Sequence, residues 1–149
     1  MKVLLPLVLI GVFAISGPLS ANGESPGTPL FFTMDEVNLS QFKWKNRPVV
    51  VFADSENDPA FVEQLELLRA REDALRERDV VVITDTNPGV LSDIRRKLRP
   101  RGFMLAILGK DGGVKLRKPF PWDVREISRS IDKMPMRQRE IRARKEQIR

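Results

Sequence analysis

Acidic side chains alternate along the segment Asp54-Ser55-Glu56-Asn57-Asp58-Pro59. Carboxylates at this spacing could serve a calcium site or general acid/base catalysis. A calcium loop, however, requires glycine at its sixth position and glutamate at its twelfth, where this chain has Pro59 and Leu65. We therefore predict no metal site here, and we expect Asp58 to cap a helix at the end of a solvated loop.

Catalysis by this segment lacks its usual partners, because the chain contains no histidine and no cysteine. That composition excludes thiol redox chemistry, most zinc sites, histidine-based triads and imidazole acid/base catalysis. Ser55 has no histidine to activate it as a nucleophile. Acid/base catalysis by Asp54 and Glu56 stays open as an alternative, and it predicts a concave site with at least one raised carboxylate pKa. No catalytic residue, metal or cofactor is assigned.

The acidic segment follows the first of three continuous apolar runs, at residues 49–53, 80–84 and 103–108. Such runs are typical of strands covered on both faces of a parallel sheet. Apolar residues at helical spacing predict a helix between the first two runs, with Pro59 at its first position. Asn87-Pro88 predicts the start of a second helix.

A hairpin and a covering helix are predicted after the third run. Asp111-Gly112 indicates a two-residue turn with positive φ at both positions, and residues 114–118 alternate as an edge strand should. A third helix is expected to start near residues 121–123 and to bury Val124, Ile127 and Ile131. The order β-α-β-α-β-β-α predicts an α/β fold with a four-stranded mixed sheet.

Three segments resemble a known family: Phe42-Lys-Trp-Lys-Asn-Arg-Pro48, Gly109-Lys-Asp-Gly-Gly-Val-Lys-Leu-Arg117 and Met134-Pro-Met-Arg-Gln-Arg-Glu-Ile-Arg142. The chain resembles a domain-of-unknown-function family of small exported bacterial proteins. That family is similar to the peroxiredoxin-related domains of vertebrate extracellular sushi-repeat and coiled-coil-domain matrix proteins. The resemblance covers nearly the whole chain after its N-terminal segment and implies a thioredoxin-like fold.

On a thioredoxin-like fold, the reactive cysteines follow the first central strand and lie at the N-terminus of the next helix, where the helix dipole stabilises a thiolate. Residues 55–58 occupy that position here and include no cysteine. We therefore interpret the chain as a retained scaffold without thiol catalysis. The candidate binding residues at this former active-site position are Asp54, Ser55, Glu56, Asn57 and Asp58.

The N-terminal 21 residues have the pattern of a secretion signal, with Lys2, an apolar run over residues 3–15 and small residues before position 22. The run is shorter than the roughly 20 residues of a spanning helix and contains Pro6, which favours cleavage over an uncleaved anchor. We expect an exported protein, periplasmic or extracellular, with no transmembrane segment after signal removal. The predicted divisions are residues 1–21 as signal peptide, 22–38 as leader and N-terminal arm, 39–135 as thioredoxin-like domain and 136–149 as basic tail.

Two local expectations concern the ends of that domain. Residues 31–44 are predicted to form an arm or short helix whose larger apolar side chains pack on the core, namely Val37, Leu39, Phe42 and Trp44. The C-terminal tail is expected to be a basic helical extension, frayed and solvated, since it has good helix formers but few apolar residues to bury. Its alternative role is an arm for anionic envelope lipid, an acidic polysaccharide or an acidic protein.

Charge is concentrated in that tail. The formal net charge is +6, and residues 137–149 hold six basic and two acidic residues. The domain itself is nearly neutral, so the charge does not indicate a nucleic-acid partner. The candidate tail residues are Arg137, Arg139, Arg142, Arg144 and Lys145.

A second basic cluster is predicted near the end of the second helix, comprising Arg95, Arg96, Lys97, Arg99 and Arg101. Cations there complement a helix C-terminus, which is the favoured interpretation; the alternative is a patch that binds an anion or a partner. Taken together, the sequence predicts a non-enzymatic, exported, thioredoxin-like binding domain that holds an unknown protein or anionic envelope component. The competing hypothesis is a carboxylate-based hydrolase on the same scaffold.

Overall fold

A five-stranded mixed sheet forms the centre of the structure, a computed structural model that describes residues 27–149. Its strands are β1 (Phe31–Thr33), β2 (Arg47–Phe52), β3 (Val80–Asp85), β4 (Met104–Leu108) and β5 (Val114–Lys118). They lie in the order β1-β3-β2-β4-β5, with β1 and β2 parallel to β3 and with β4 antiparallel to both β2 and β5. The predicted signal peptide lies outside the described residues.

Helices cover both faces of this sheet. They are a 3₁₀ helix (Leu39–Phe42), α1 (Pro59–Arg69), α2 (Glu72–Arg76), α3 (Asp93–Leu98), α4 (Val124–Asp132) and α5 (Pro135–Gln147). One face packs under α1, α2 and α4, whose buried side chains include Leu68, Leu75 and Ile127. The other face packs under the 3₁₀ helix and α3 through Phe42 and Ile94. Every residue of β2 is buried, because helices cover it on both sides.

This strand order and these directions are those of a thioredoxin-like fold, so the predicted fold class is confirmed. The predicted strand count is wrong, since Phe31–Thr33 is not part of an arm but pairs in parallel with Val82, Ile83 and Thr84 as a fifth strand. A three-residue, half-exposed edge strand is too short to show a hydrophobic period. No helix within residues 27–149 is long and apolar enough to cross a membrane.

The expected short helix after β1 is present over Leu39–Phe42, and Phe42 is buried there. Val37 and Leu39 are partly buried against the same core cluster. Trp44 is not a packing residue, contrary to the prediction, because 63% of it is exposed. Its backbone has a φ of 65°, and its N–H donates to the carbonyl of Lys110 at 2.7 Å.

The second predicted helix starts later than expected. Asn87 accepts a hydrogen bond from the N–H of Gly89 at 3.1 Å and forms a turn, so Pro88 precedes the helix instead of opening it. Ser92 caps α3 by accepting from the N–H of Arg95 at 3.2 Å. The start signals of a turn and of a helix share Asn and Pro, which explains the error.

The β4–β5 hairpin also differs from the predicted two-residue turn. Gly109 donates to the carbonyl of Gly113 at 2.9 Å, so three residues form the connection. Within Asp111-Gly112, only Gly112 takes a positive φ, at 82°. The side chain of Asp111 accepts from the N–H of Gly113 at 2.9 Å, which fixes this longer turn.

Candidate functional site

The acidic segment forms an exposed loop between β2 and α1. Asp54, Ser55, Glu56 and Asn57 are exposed, whereas Asp58 is partly buried. One Asp58 oxygen accepts from the N–H groups of the second and third residues of α1, at 2.8 and 3.3 Å. The predicted helix cap is therefore confirmed, with Pro59 at the first helical position.

We expect Asp58→Ala to lower the free energy of unfolding by about 1 kcal/mol, because two N–H groups at the start of α1 lose their acceptor. Urea denaturation followed by circular dichroism would measure the change. Asp58→Asn is the matched control, since an amide oxygen also caps a helix and should preserve most of the stability. Equal losses in the two variants would contradict a capping role.

A buried ion pair lies behind this loop. Asp85, at the end of β3, and Arg95, in α3, are each only 5% exposed. Two guanidinium nitrogens of Arg95, Nη2 and Nε, donate to the same Asp85 oxygen at 2.9 and 3.2 Å. Ser92 donates to the other oxygen at 3.1 Å, so both carboxylate oxygens have partners.

Arg95 also ties this pair to the base of the loop. Its Nη2 lies within hydrogen-bond distance of the backbone carbonyls of Ala53, at 3.3 Å, and of Asp85, at 3.0 Å. Its guanidinium lies 5.4 Å from the centre of the Phe52 ring, a cation–π contact. The ends of β2 and β3 and helix α3 are thus joined at the base of the loop at residues 54–58.

Sequence reasoning assigned Arg95 to a surface cluster and missed this role. A signal was available: Asp85 directly follows an apolar strand expected to be buried, and a buried carboxylate requires a hydrogen-bonded or charged partner. The sequence alone does not say which of the neighbouring cations supplies that partner. The structure identifies it as Arg95.

A groove of about 350 Å³ lies beside the loop and includes Glu56, Glu36 and Arg69 in its lining. Asp54 is not part of that lining, so this groove does not join the two carboxylates that the hydrolase hypothesis requires. The Glu36 carboxylate already accepts from the N–H of Thr33 at 3.0 Å. Within the described part of the chain, no group of three acidic, histidine or cysteine side chains is placed to hold a metal ion.

The C-terminal tail is helix α5, so the predicted helical tail is confirmed, whereas the expectation that it is frayed is wrong. Arg137 is only 3% exposed and contacts Asp132 at 3.2 Å and Glu140 at 3.4 Å. Glu140 in turn contacts Arg47 at 2.9 Å and Lys110 at 2.8 Å. Ion pairs therefore anchor this helix to the sheet, and they leave no apolar pattern in the sequence. The remaining tail candidates are exposed: Arg139, Arg142, Arg144 and Lys145.

These ion pairs change the acidity of two carboxyl groups. Burial alone would raise the pKa of Glu140, but hydrogen bonds and positive charge from Arg47 and Lys110 outweigh it and lower this pKa from 4.5 to about 2. Burial likewise opposes ionisation of Asp132, while Arg78 and Arg137 lower its pKa overall. Both carboxylates are therefore ionised throughout the physiological range, as structural anchors and not as general acids.

The structure divides the second basic cluster between two surfaces. Arg95, Arg96, Arg99 and Arg101 line one cleft, which also contains Leu91. Lys97 lines a different groove, beside Phe42 and Asp111. The five cations are thus not a single patch.

Comparisons with known proteins add a family match. Residues 38–140 match the family described as "Domain of unknown function (DUF4174)". Coiled-coil domain-containing protein 80 of Danio rerio is 27% identical to this chain in an alignment 133 residues long, which covers 69% of the chain and 15% of that protein. The chain therefore spans about 15% of the length of this curated relative.

Solved structures with a similar arrangement include a chloroplastic thioredoxin z, at 21% sequence identity and a TM-score of 0.49, with 70% of this chain and 91% of that chain covered. A mitochondrial 2-Cys peroxiredoxin from Plasmodium falciparum is 19% identical at a TM-score of 0.44, with 64% and 79% covered.

Proposed function

The chain belongs to the DUF4174 family, and from that premise we propose that it is a non-catalytic, exported binding domain that holds a protein or an anionic envelope component. The observation that carries this proposal is the buried Asp85–Arg95 pair beneath the loop at residues 54–58. Where a thioredoxin relative would keep a reactive thiol, this chain has an exposed polar loop on a base fixed by charged hydrogen bonds. A solvent-facing loop on such a base suits recognition better than chemistry.

Export is supported by the N-terminal sequence pattern, with its short basic start, apolar run and small residues. Two surfaces are candidates for the partner, the loop at residues 54–58 and the exposed cations of α5. The loop would suit a partner with basic groups, whereas α5 would suit an anionic one.

The tail cannot be tested by deletion. Truncation after Pro135 would remove Glu140, whose carboxylate contacts the buried Arg47, and would therefore damage the fold itself. Charge substitution avoids this problem. A tail variant should change only the exposed cations Arg139, Arg142, Arg144 and Lys145, each to glutamine.

The experiment immobilises the chain from residue 22 onward and passes an envelope extract over it at increasing salt. We expect the wild type to retain a component that the heat-denatured chain does not retain. Either the tail variant or a loop variant, Asp54→Asn with Glu56→Gln, should reduce that retention by 10-fold or more. A tail-dependent partner should also elute as ionic strength rises, because salt screens exposed charges. Equal retention by the native and denatured chains would contradict the proposal.

A further inference from the structure

We propose that the cleft formed by the loop before α3, by α3 itself and by the loop after it is the docking site for an acidic peptide segment of a protein partner. We call it the arginine cleft; its lining residues are Pro88, Leu91, Arg95, Arg96, Arg99, Pro100 and Arg101. The inference rests on the proposed binding function and names a third surface and its ligand chemistry.

The charge of the arginine cleft is not neutralised by its own lining. Its volume is about 520 Å³, and its lining contains four arginines and no acidic residue. Asp85 neutralises Arg95 at 2.9 Å, and this pair fixes the floor of the cleft. Arg96, Arg99 and Arg101 therefore carry the positive charge that a ligand would meet.

The side chains of Arg96, Arg99 and Arg101 have no structural role in the described part of the chain. Across residues 27–149, their side chains make no ion pair and no hydrogen bond with another residue. The favoured sequence interpretation assigned them to the C-terminus of α3, but that helix has only six residues. The carbonyl of Leu98, at its end, faces Arg117 of β5 at 3.5 Å instead. The three side chains are thus available to a ligand.

Arg99 also occupies a backbone position that favours glycine. It follows α3 with φ 49° and ψ 57°, in the left-handed region, where a β-carbon is unfavourable. The chain thus carries an arginine where glycine would fit the backbone better. A function for the Arg99 side chain would account for that choice.

The lining indicates the class of ligand. Guanidinium groups pair with carboxylates through two parallel N–H donors, and every cation in the cleft is an arginine. Leu91 is 56% exposed, and its neighbour Val90 is exposed as well, so apolar surface adjoins the charge. A concave cleft that combines both features fits a short chain segment carrying carboxylates around an apolar side chain. A flat lipid surface would not fill it.

The test uses a fluorescent peptide, Glu-Glu-Leu-Glu-Glu, and fluorescence anisotropy at low ionic strength. We expect the wild type to bind it, and the triple variant Arg96→Gln, Arg99→Gln and Arg101→Gln to bind at least 10-fold more weakly. Lys97→Gln is the control for position, because it removes one positive charge from the same helix as Arg96 but lines another groove; it should change the affinity less than 2-fold. Arg99→Gly should weaken binding without lowering the unfolding midpoint.

Three results would contradict the proposal that the arginine cleft binds an acidic peptide. They are no peptide binding by the wild type, equal losses in Lys97→Gln and in the triple variant, or arginine-dependent binding to vesicles of anionic phospholipid without peptide binding. The envelope-extract experiment separates this failure from that of the proposed function. If the wild type retains an extract component but does not bind the peptide, the cleft is rejected and the binding function stands.

Discussion

Glu140→Gln is expected to lower the free energy of unfolding by about 3 kcal/mol at neutral pH. The Arg47 guanidinium is only 1% exposed, and the two Glu140 oxygens accept from it at 2.9 and 3.2 Å. Its other hydrogen bond goes to the backbone carbonyl of Arg78. A carbonyl carries no net charge and cannot balance the charge of the guanidinium. Without the carboxylate, a buried cation remains uncompensated beside Lys110 and Arg137, which is far more costly than losing an exposed pair.

Urea denaturation would measure this change, with Glu146→Gln as the matched control. Glu146 lies on the same helix but is exposed, and its substitution should change the free energy of unfolding by less than about 0.5 kcal/mol. Similar losses in the two variants would show that the charge of α5 as a whole, and not the contact with Arg47, determines stability.

The same carboxylate predicts a pH dependence. Its pKa is about 2 in the folded chain against an ordinary 4.5, so its contribution to stability is complete above pH 4.5 and is lost as the pH falls toward 2. That difference corresponds to about 3 kcal/mol. The wild type should therefore lose more stability than Glu140→Gln between pH 5 and pH 2. Parallel acid profiles for the two proteins would contradict this assignment.

The predictable parts of the fold are the strands and helices that are buried through apolar side chains. β2, β3 and β4 are covered on both faces and appear as continuous apolar runs, and α4 shows Ile127 and Ile131 at helical spacing. Helix α5 gives no such signal, because it is attached through Glu140 to residues 47 and 110, far away in sequence. Hydrophobic periodicity does not detect attachment by charge.

The position of the loop at residues 54–58 was predictable from the sequence, but the buried contacts behind it were not. The location of residues 54–58 after β2 follows from the strand pattern, as does the cap at Asp58. The division of the second basic cluster was also within reach, since residues 95 and 97 differ by about 200° around a helix and must face different sides. The partnership of Arg95 with Asp85 depends on how α3 docks against β3, which only the tertiary structure shows.

Asp85→Ala should have an effect at least as large as that of Glu140→Gln, with a loss of about 3–5 kcal/mol, because it leaves the buried Arg95 without its counter-ion. The double variant Asp85→Leu with Arg95→Met should recover most of this stability, since well-packed apolar residues often replace a buried ion pair without loss. A double-mutant cycle by urea denaturation would measure the coupling between the two residues. No recovery in the double variant would indicate that the pair itself, and not the orphaned charge, supplies the stability.

The double variant also separates stability from function. Arg95 Nη2 reaches the carbonyl of Ala53 at 3.3 Å, so removing the pair frees the base of the loop at residues 54–58 even where the fold is kept. We expect faster amide hydrogen exchange in the folded double variant at Ala53, whose N–H donates to the carbonyl of Asp85 at 3.0 Å, and at Asn57, whose N–H donates to the Ser55 hydroxyl at 3.1 Å. Retention of any partner that the loop binds should also weaken. Unchanged exchange would mean that the buried pair does not hold the loop. In that case, the pair would not support the binding role proposed for the loop.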